Sequence, residues 1–389
     1  MIKIGVVVQR YGKDVVGGAE TLAKNIAERL NSNGFDVTVF TTTAKDYITW
    51  KNHYNQGESI LKGVNIKRFN VERERDIESF NRYSDGFFID DSQKRDEMDW
   101  IIRQGPYSPD LVDALKNEQR FFDIFLFFTY LYYPTVEGIK IVEKPIILFP
   151  TAHDESPIYL NLMNQVFKKP DSLFFLTGAE MNFVSKLFNP NNRMELVRTG
   201  ININDNIYEN LFRKKYLMFL PYMLYAGRIE RGKGLELIFE AYEIIRKKRL
   251  VNLVLIGKKL MDIPQIDGIN YLGYVTEDEK ISAFKDAVLS IQPSSMESLS
   301  ITTLESFSQK TPVLANRKSN VLKEHIELSA GGLLYDNVEG FVKNFTEIYD
   351  KKKLRNKMGI NGYNYVNKFY SWDVVIGKIV NGIKNIIKG

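Results

Sequence analysis

Val288-Leu-Ser-Ile-Gln292 runs into Pro293-Ser-Ser-Met-Glu-Ser-Leu-Ser-Ile-Thr-Thr-Leu-Glu305, and the fold turns on how these two segments join. The first is a short apolar run fit for a buried strand, and residues 294–300 are polar and turn-like. A helix is expected from Ser300, a favourable N-cap type. Ile301, Leu304 and Phe307 or Ser308 follow at helical spacing, and Lys310 with Pro312 closes the element. Strand, turn and helix in this order form the repeating unit of a doubly wound α/β sheet. The first turn of such a helix presents free backbone N–H groups and the positive end of the dipole, which suit a phosphate or diphosphate. Glu297 and Glu305 flank that turn. Carboxylates repel phosphates, so their expected partners are sugar or ribose hydroxyls.

The same pattern stands upstream, where Tyr222-Met-Leu-Tyr-Ala226 runs into Gly227-Arg-Ile-Glu-Arg-Gly-Lys-Gly234 and then a helix over 235–248. Glycines let a backbone approach a ligand, and Arg228 and Lys233 would neutralise a diphosphate as it becomes a leaving group. Leu235, Ile238, Phe239, Tyr242 and Ile245 share one face of the helix, so core packing sets its position.

Further out, strand-like runs at 3–8, 37–42, 64–69, 124–129, 146–149, 172–176 and 194–198 alternate with amphipathic stretches, the pattern of a parallel sheet covered on both faces. Two domains are expected: residues 1–203, and residues 204–370 with a capping-box helix start at Thr276-Glu-Asp-Glu279. Residues 202–209 read as the link. Residues 72–119 read as a charged, irregular excursion of the first domain.

With 389 residues, 44% of them hydrophobic, the chain can bury two ordinary cores. The formal charge of +5 is small for that length and argues against a nucleic-acid binder. No cysteine is present, which excludes disulfides and cysteine-based zinc sites and fits a cytoplasmic protein. Residues 1–8 are too short an apolar run for an export signal, and residues 121–133 too short to span a bilayer. The basic runs 246–249 and 351–355 read as solvated helix ends, with peripheral contact to an anionic membrane face as the other reading.

The first domain holds two candidates. Gly17-Gly18 lies between the first strand and a helix with Leu22, Ile26 and Leu30 on its apolar face, and is otherwise an ordinary strand-to-helix loop. Thr151-Ala-His153-Asp-Glu155 follows the 146–149 strand, where open α/β sheets bind ligands. His153 is a candidate site residue or a satisfied structural histidine; Asp154 and Glu155 can instead cap the next helix.

Gly17-Gly-Ala-Glu20, Gly227-Arg-Ile-Glu-Arg-Gly-Lys233, the glutamate pair around Ser298-Leu-Ser300, and Gly331-Gly-Leu-Leu-Tyr335 occur in the order found in family 4 of the retaining nucleotide-sugar glycosyltransferases, which this chain resembles across nearly its whole length. The resemblance implies the GT-B architecture: two facing Rossmann-like domains, with the terminal helix over 372–388 crossing back to the first. It implies that Arg228 and Lys233 hold the leaving diphosphate, helped by backbone N–H groups across Ser298, Leu299, Ser300, Ile301 and Thr302. Glu297 would bind the donor hexose, Glu305 the ribose, and the turn with Tyr274 and Val275 the base. Gly17 and Gly18 would face the diphosphate or the acceptor, and His153 would orient the donor sugar.

A nucleoside diphosphate sugar, UDP- or GDP-linked, is then a co-substrate. No metal or other cofactor is expected, because protein cations and the helix dipole supply the positive charge. The acceptor is expected to be a glycan or lipid-linked glycan in bacterial surface polysaccharide assembly, met in the cytoplasm or at the inner face of its membrane. Many family members carry glycine where Ser298 and Ser300 stand, so the identity of the sugar does not carry across. Two other readings remain: a sugar-nucleotide epimerase of the same architecture, and a catalytically silent binding subunit. A dehydrogenase is disfavoured, since no Gly-x-Gly-x-x-Gly follows the first strand.

Overall fold

The computed structural model describes residues 1–15, 17–89, 96–203, 210–297 and 299–388. Two compact units divide the chain, one made of Met1–Leu176, Glu180–Arg198 and Ile376–Gly389, the other of Thr177–Ala179 and Thr199–Val375. The link expected over 202–209 lies mostly outside the described residues.

In the first unit the strands are β1 (Lys3–Arg10), β2 (Asp36–Thr42), β3 (Gly57–Leu61), β4 (Val64–Phe69), β5 (Ile124–Phe128), β6 (Ile146–Phe149), β7 (Ser172–Phe175) and β8 (Arg193–Leu196). They form one sheet in the order β3-β4-β2-β1-β5-β6-β7-β8, parallel except where β3 pairs with β4. β5, β6 and β7 are buried along their whole length, as expected of strands covered on both faces. β3 was not expected. It is an exposed edge strand joined to β4 by the two-residue turn Lys62-Gly63, with φ of 49° and 81°, the positive values that match hairpin twist.

Residues 72–119 correct the sequence reading: the helices Ile77–Ile89, Glu97–Gln104 and Pro109–Glu118 stand where an irregular excursion was expected. Their surfaces are charged, but Trp100, Ile101, Leu111 and Leu115 reach the core. Phe80, Phe87 and Phe88 close around Trp100 with ring centroids 5.5–6.4 Å away. Asp96 caps the second helix, accepting from the N–H groups of Met98 and Asp99.

The second unit holds β9 (Tyr222–Ala226), β10 (Asn252–Ile256), β11 (Ile269–Gly273), β12 (Leu289–Gln292), β13 (Val313–Asn316) and β14 (Gly332–Tyr335). They lie in the order β11-β10-β9-β12-β13-β14, parallel throughout. The helix Leu235–Arg246 packs Leu235, Ile238, Phe239, Tyr242 and Ile245 into the core, the face its periodicity predicts. Thr276 and Glu279 complete the expected capping box of the helix Glu277–Asp286. The terminal helix Trp372–Lys388 belongs to the second unit through Val375 and to the first from Ile376. Within the first unit, Lys378 Nζ donates to the Leu196 carbonyl at 3.3 Å. Among the described residues, no helix is long and apolar enough to cross a membrane.

Candidate functional site

Strand order in the second unit reverses between β9 and β12, which are neighbours, and open α/β sheets bind ligands at the C-terminal ends of the strands at such a switch point. The loops leaving those ends are the two singled out in the sequence. They touch at Gly234, whose φ of 76° and approach to Pro293 exclude a side chain: a Cβ there would lie 2.5 Å from the Pro293 carbonyl oxygen. Beside this contact Lys233 Nζ meets Glu297 Oε1 at 3.0 Å, with the side chains 25% and 20% exposed. Arg228 reaches Glu230 at 3.1 Å and is half exposed, while the Tyr225 hydroxyl donates to the Arg228 carbonyl at 2.7 Å and fixes the turn.

The helix after β12 spans Ile301–Ser308. Ser300 sits at its N-cap but does not cap it: the residue is left-handed, φ 56° and ψ 65°, away from the extended backbone that capping needs. Its hydroxyl pairs with that of Thr303 at 2.9 Å instead. The Ser300 side chain therefore satisfies no backbone N–H at the start of this helix. Ile301 and Thr302 are partly exposed in its first turn, Leu299 is buried, and Ser298 lies outside the described residues.

Glu305 is buried in this helix, and its Oε1 accepts from Lys280 Nζ at 2.8 Å. Its Oε2 is buried with no hydrogen-bond partner among the described residues, an unfilled acceptor that a donor group can satisfy. Burial raises the carboxyl above its ordinary value in spite of Lys280. Burial works against the Lys280 ammonium too, but Glu305 and Glu277 outweigh it and hold its pKa above the usual lysine value. Gly273 ends β11 with φ 67°, and Tyr274 beyond it is 78% exposed, an uncovered ring beside a partly exposed Val275.

In the first unit, Gly17 and Gly18 open the helix Gly18–Ser32 after β1. Gly17 is required by what lies against it, since a Cβ would come 2.1 Å from Glu20 Oε2. Glu20 is itself buried, accepting at Oε1 from Arg10 at 2.5 and 2.8 Å and from Gln9 at 2.8 Å. A cavity of about 550 Å³ adjoins Arg10 and is lined in part by Asp14, Asp46, Tyr47, Lys51 and His53. Sequence reasoning missed this cavity and the Arg10–Glu20 pair. The acid within Gly17-Gly-Ala-Glu20 was the available signal, but its partner lies across the β1 turn.

His153 Nε2 pairs with Glu155 Oε2 at 3.3 Å. The Glu155 hydrogen bond, stronger than the opposing burial, raises the His153 pKa above its ordinary value. Neither Asp154 nor Glu155 caps the short helix Ser156–Tyr159, correcting that expectation. Glu155 accepts from the Tyr130 hydroxyl at 2.5 Å and Asp154 from Tyr159 at 2.7 Å, which uses both acids within the loop. Buried Glu180 holds that loop, accepting from the Ala152 N–H at 2.7 Å and the Leu176 N–H at 3.0 Å. Gly17, Gly18 and His153 thus belong to the first unit, and the other described site residues to the second.

Residues 211–365 match the model of the family described as glycosyl transferases group 1. A D-inositol 3-phosphate glycosyltransferase of Pseudarthrobacter chlorophenolicus is 29% identical over 154 residues, a match covering 36% of each chain. An uncharacterised glycosyltransferase of Methanocaldococcus jannaschii is 22% identical over 98% of both chains. Among solved structures, sucrose-phosphate synthase from Thermosynechococcus elongatus superposes over 100% of both chains with a TM-score of 0.74 at 14% identity. Anabaena HepE in complex with UDP-glucose covers 99% of this chain, and the chain 100% of it, with a TM-score of 0.69 at 13% identity. Residues 211–365 thus match a group 1 glycosyl transferase domain, in a chain whose two α/β units have the GT-B fold of these solved structures.

Proposed function

We propose that the chain transfers a hexose from a nucleoside diphosphate sugar, UDP- or GDP-linked, to a hydroxyl of a glycan acceptor with retention at the anomeric carbon. The Lys233–Glu297 pair at the switch point of the second sheet carries this reading. Each member holds a place for part of the donor. Phosphate oxygens replace the carboxylate as partner of Lys233, and sugar hydroxyls replace the ammonium as partner of Glu297. Arg228 adds a second cation, and the uncapped helix Ile301–Ser308 adds backbone N–H groups. The ribose donates to the unpartnered Oε2 of Glu305, and the turn at Tyr274 and Val275 meets the base. HepE, a protein of the same fold, binds UDP-glucose, which supports a donor of this class.

In the transfer, the bond from C1 to the diphosphate oxygen breaks and a bond from C1 to the acceptor oxygen forms on the same face. The acceptor proton passes to the departing phosphate. Arg228, Lys233 and the helix N-terminus supply the positive charge that eases departure, so no bound metal is needed. The acceptor binds the first unit, where the cavity beside Arg10 offers charged groups and Tyr47 to a sugar.

Proton NMR of UDP-glucose or GDP-mannose turnover, with EDTA present, tests the stereochemistry. The first-formed product should carry the α configuration of the donor, at a rate EDTA does not change. A β product would contradict retention, and loss of rate in EDTA would contradict the charge assignment.

A further inference from the structure

His325 is fully buried on the helix Asn320–Ser329 and takes no part in the transfer described above. Its Nε2 lies 2.8 Å from the Leu299 carbonyl, in the loop between β12 and the helix Ile301–Ser308. A carbonyl oxygen only accepts, so Nε2 carries a proton and donates it. Its Nδ1 lies 3.1 Å from the Tyr365 hydroxyl, which in turn lies 3.1 Å from the Tyr370 hydroxyl. These contacts link Tyr370 through Tyr365 and His325 to Leu299. The far end is anchored, because the Tyr370 carbonyl accepts from the Ile201 N–H at 2.7 Å. Phe307, on the same helix as Glu305, meets the Tyr365 ring edge-on at 6.4 Å.

Ser300, next to the Leu299 carbonyl, is left-handed, a conformation unfavourable for a residue with a Cβ. In a trans peptide the C=O and N–H point in opposite directions, so holding the Leu299 carbonyl toward His325 turns the Ser300 N–H away from it.

We propose that His325 is a positioning residue for diphosphate binding: by holding the Leu299 carbonyl, it sets the Ser300 N–H as a donor to the diphosphate at the head of the helix Ile301–Ser308. The inference rests on the donor-site reading above.

Calorimetric titration with UDP, GDP, uridine and guanosine tests it on the wild type, His325→Phe, His325→Gln and Tyr365→Phe, each confirmed folded by circular dichroism. His325→Phe should weaken the preferred nucleoside diphosphate at least tenfold and leave the matching nucleoside within twofold. Gln places an amide N–H near the position of Nε2 and should recover most of the loss. Tyr365→Phe, the variant to rely on if His325→Phe does not fold, should lose about threefold on the diphosphate alone. Diphosphate affinity unchanged in both Phe variants would overturn the proposal, as would equal losses for diphosphate and nucleoside. A wild type that binds neither diphosphate would instead overturn the donor-site reading beneath it.

Discussion

Lys233→Ala is expected to lower kcat/KM for transfer by roughly 10³-fold, about 4 kcal/mol, because it removes a fixed charge from the leaving diphosphate. The same change should hardly alter stability. The Lys233–Glu297 pair is about a quarter exposed, and pairs in contact with solvent contribute under about 1 kcal/mol. Activity and thermal midpoint should therefore separate, the first collapsing and the second moving by a few degrees at most. A variant that kept wild-type kcat/KM would remove Lys233 from the chemistry. Lys233→Arg keeps the charge but spreads it over a planar fork, and should recover only part of the rate.

The second large effect is expected at Glu305. Removing its carboxylate takes away an acceptor that is already desolvated, so Glu305→Ala should weaken nucleoside diphosphate binding by about 10–100-fold, the range for a hydrogen bond to a charged group. The loss should belong to the ribose. A 2′,3′-dideoxy nucleotide should bind the wild type as poorly as it binds the variant, closing a double-mutant cycle with strong coupling. Equal losses for ribose and dideoxyribose nucleotides would place Glu305 elsewhere in the site.

The pH dependence has a definite sign. Burial raises the Glu305 carboxyl in the folded protein above its ordinary value of 4.5, and ribose hydroxyls donating to the carboxylate pull it down again in the complex. Nucleotide binding should therefore release protons, and affinity should rise with pH through the raised value. Stability runs the other way. The folded state holds this proton more tightly than the unfolded chain, so the contribution of Glu305 is present below 4.5 and is lost as pH rises through the folded value. Titration calorimetry in buffers of different ionisation enthalpy reads the proton release, which Glu305→Gln should abolish.

What could be read from the sequence follows from how locally each feature is determined. Strands buried on both faces, such as Ile124–Phe128 and Tyr222–Ala226, are apolar throughout and announce themselves. The exposed edge strand Gly57–Leu61 has no apolar pattern and did not. The helices Glu97–Gln104 and Pro109–Glu118 hide a narrow buried stripe under a charged surface, and Ile77–Ile89 buries no residue fully, so their composition resembled a loop. In the second unit the loops after β9 and β12 were legible because glycines, cations and acids stand close together in sequence, and the sheet order makes those loops neighbours.

What could not be read was contact over distance. Arg10 reaches Glu20 around a turn, Glu180 reaches back to Ala152, and His325 reaches Leu299 from another helix. Ser300 shows the limit in a single residue. Its type and position suit an N-cap, but left-handed backbone sends its hydroxyl to Thr303, and it caps no backbone N–H of the helix.

Thermal denaturation of the wild type and Lys233→Ala with UDP, GDP, ADP, CDP and dTDP addresses the donor site itself, since a ligand held only by the folded state raises its stability. One nucleotide should raise the midpoint of the wild type by several degrees and leave the variant unmoved. If none of the five stabilised the wild type at millimolar concentration, the loops after β9 and β12 would not form a nucleotide site.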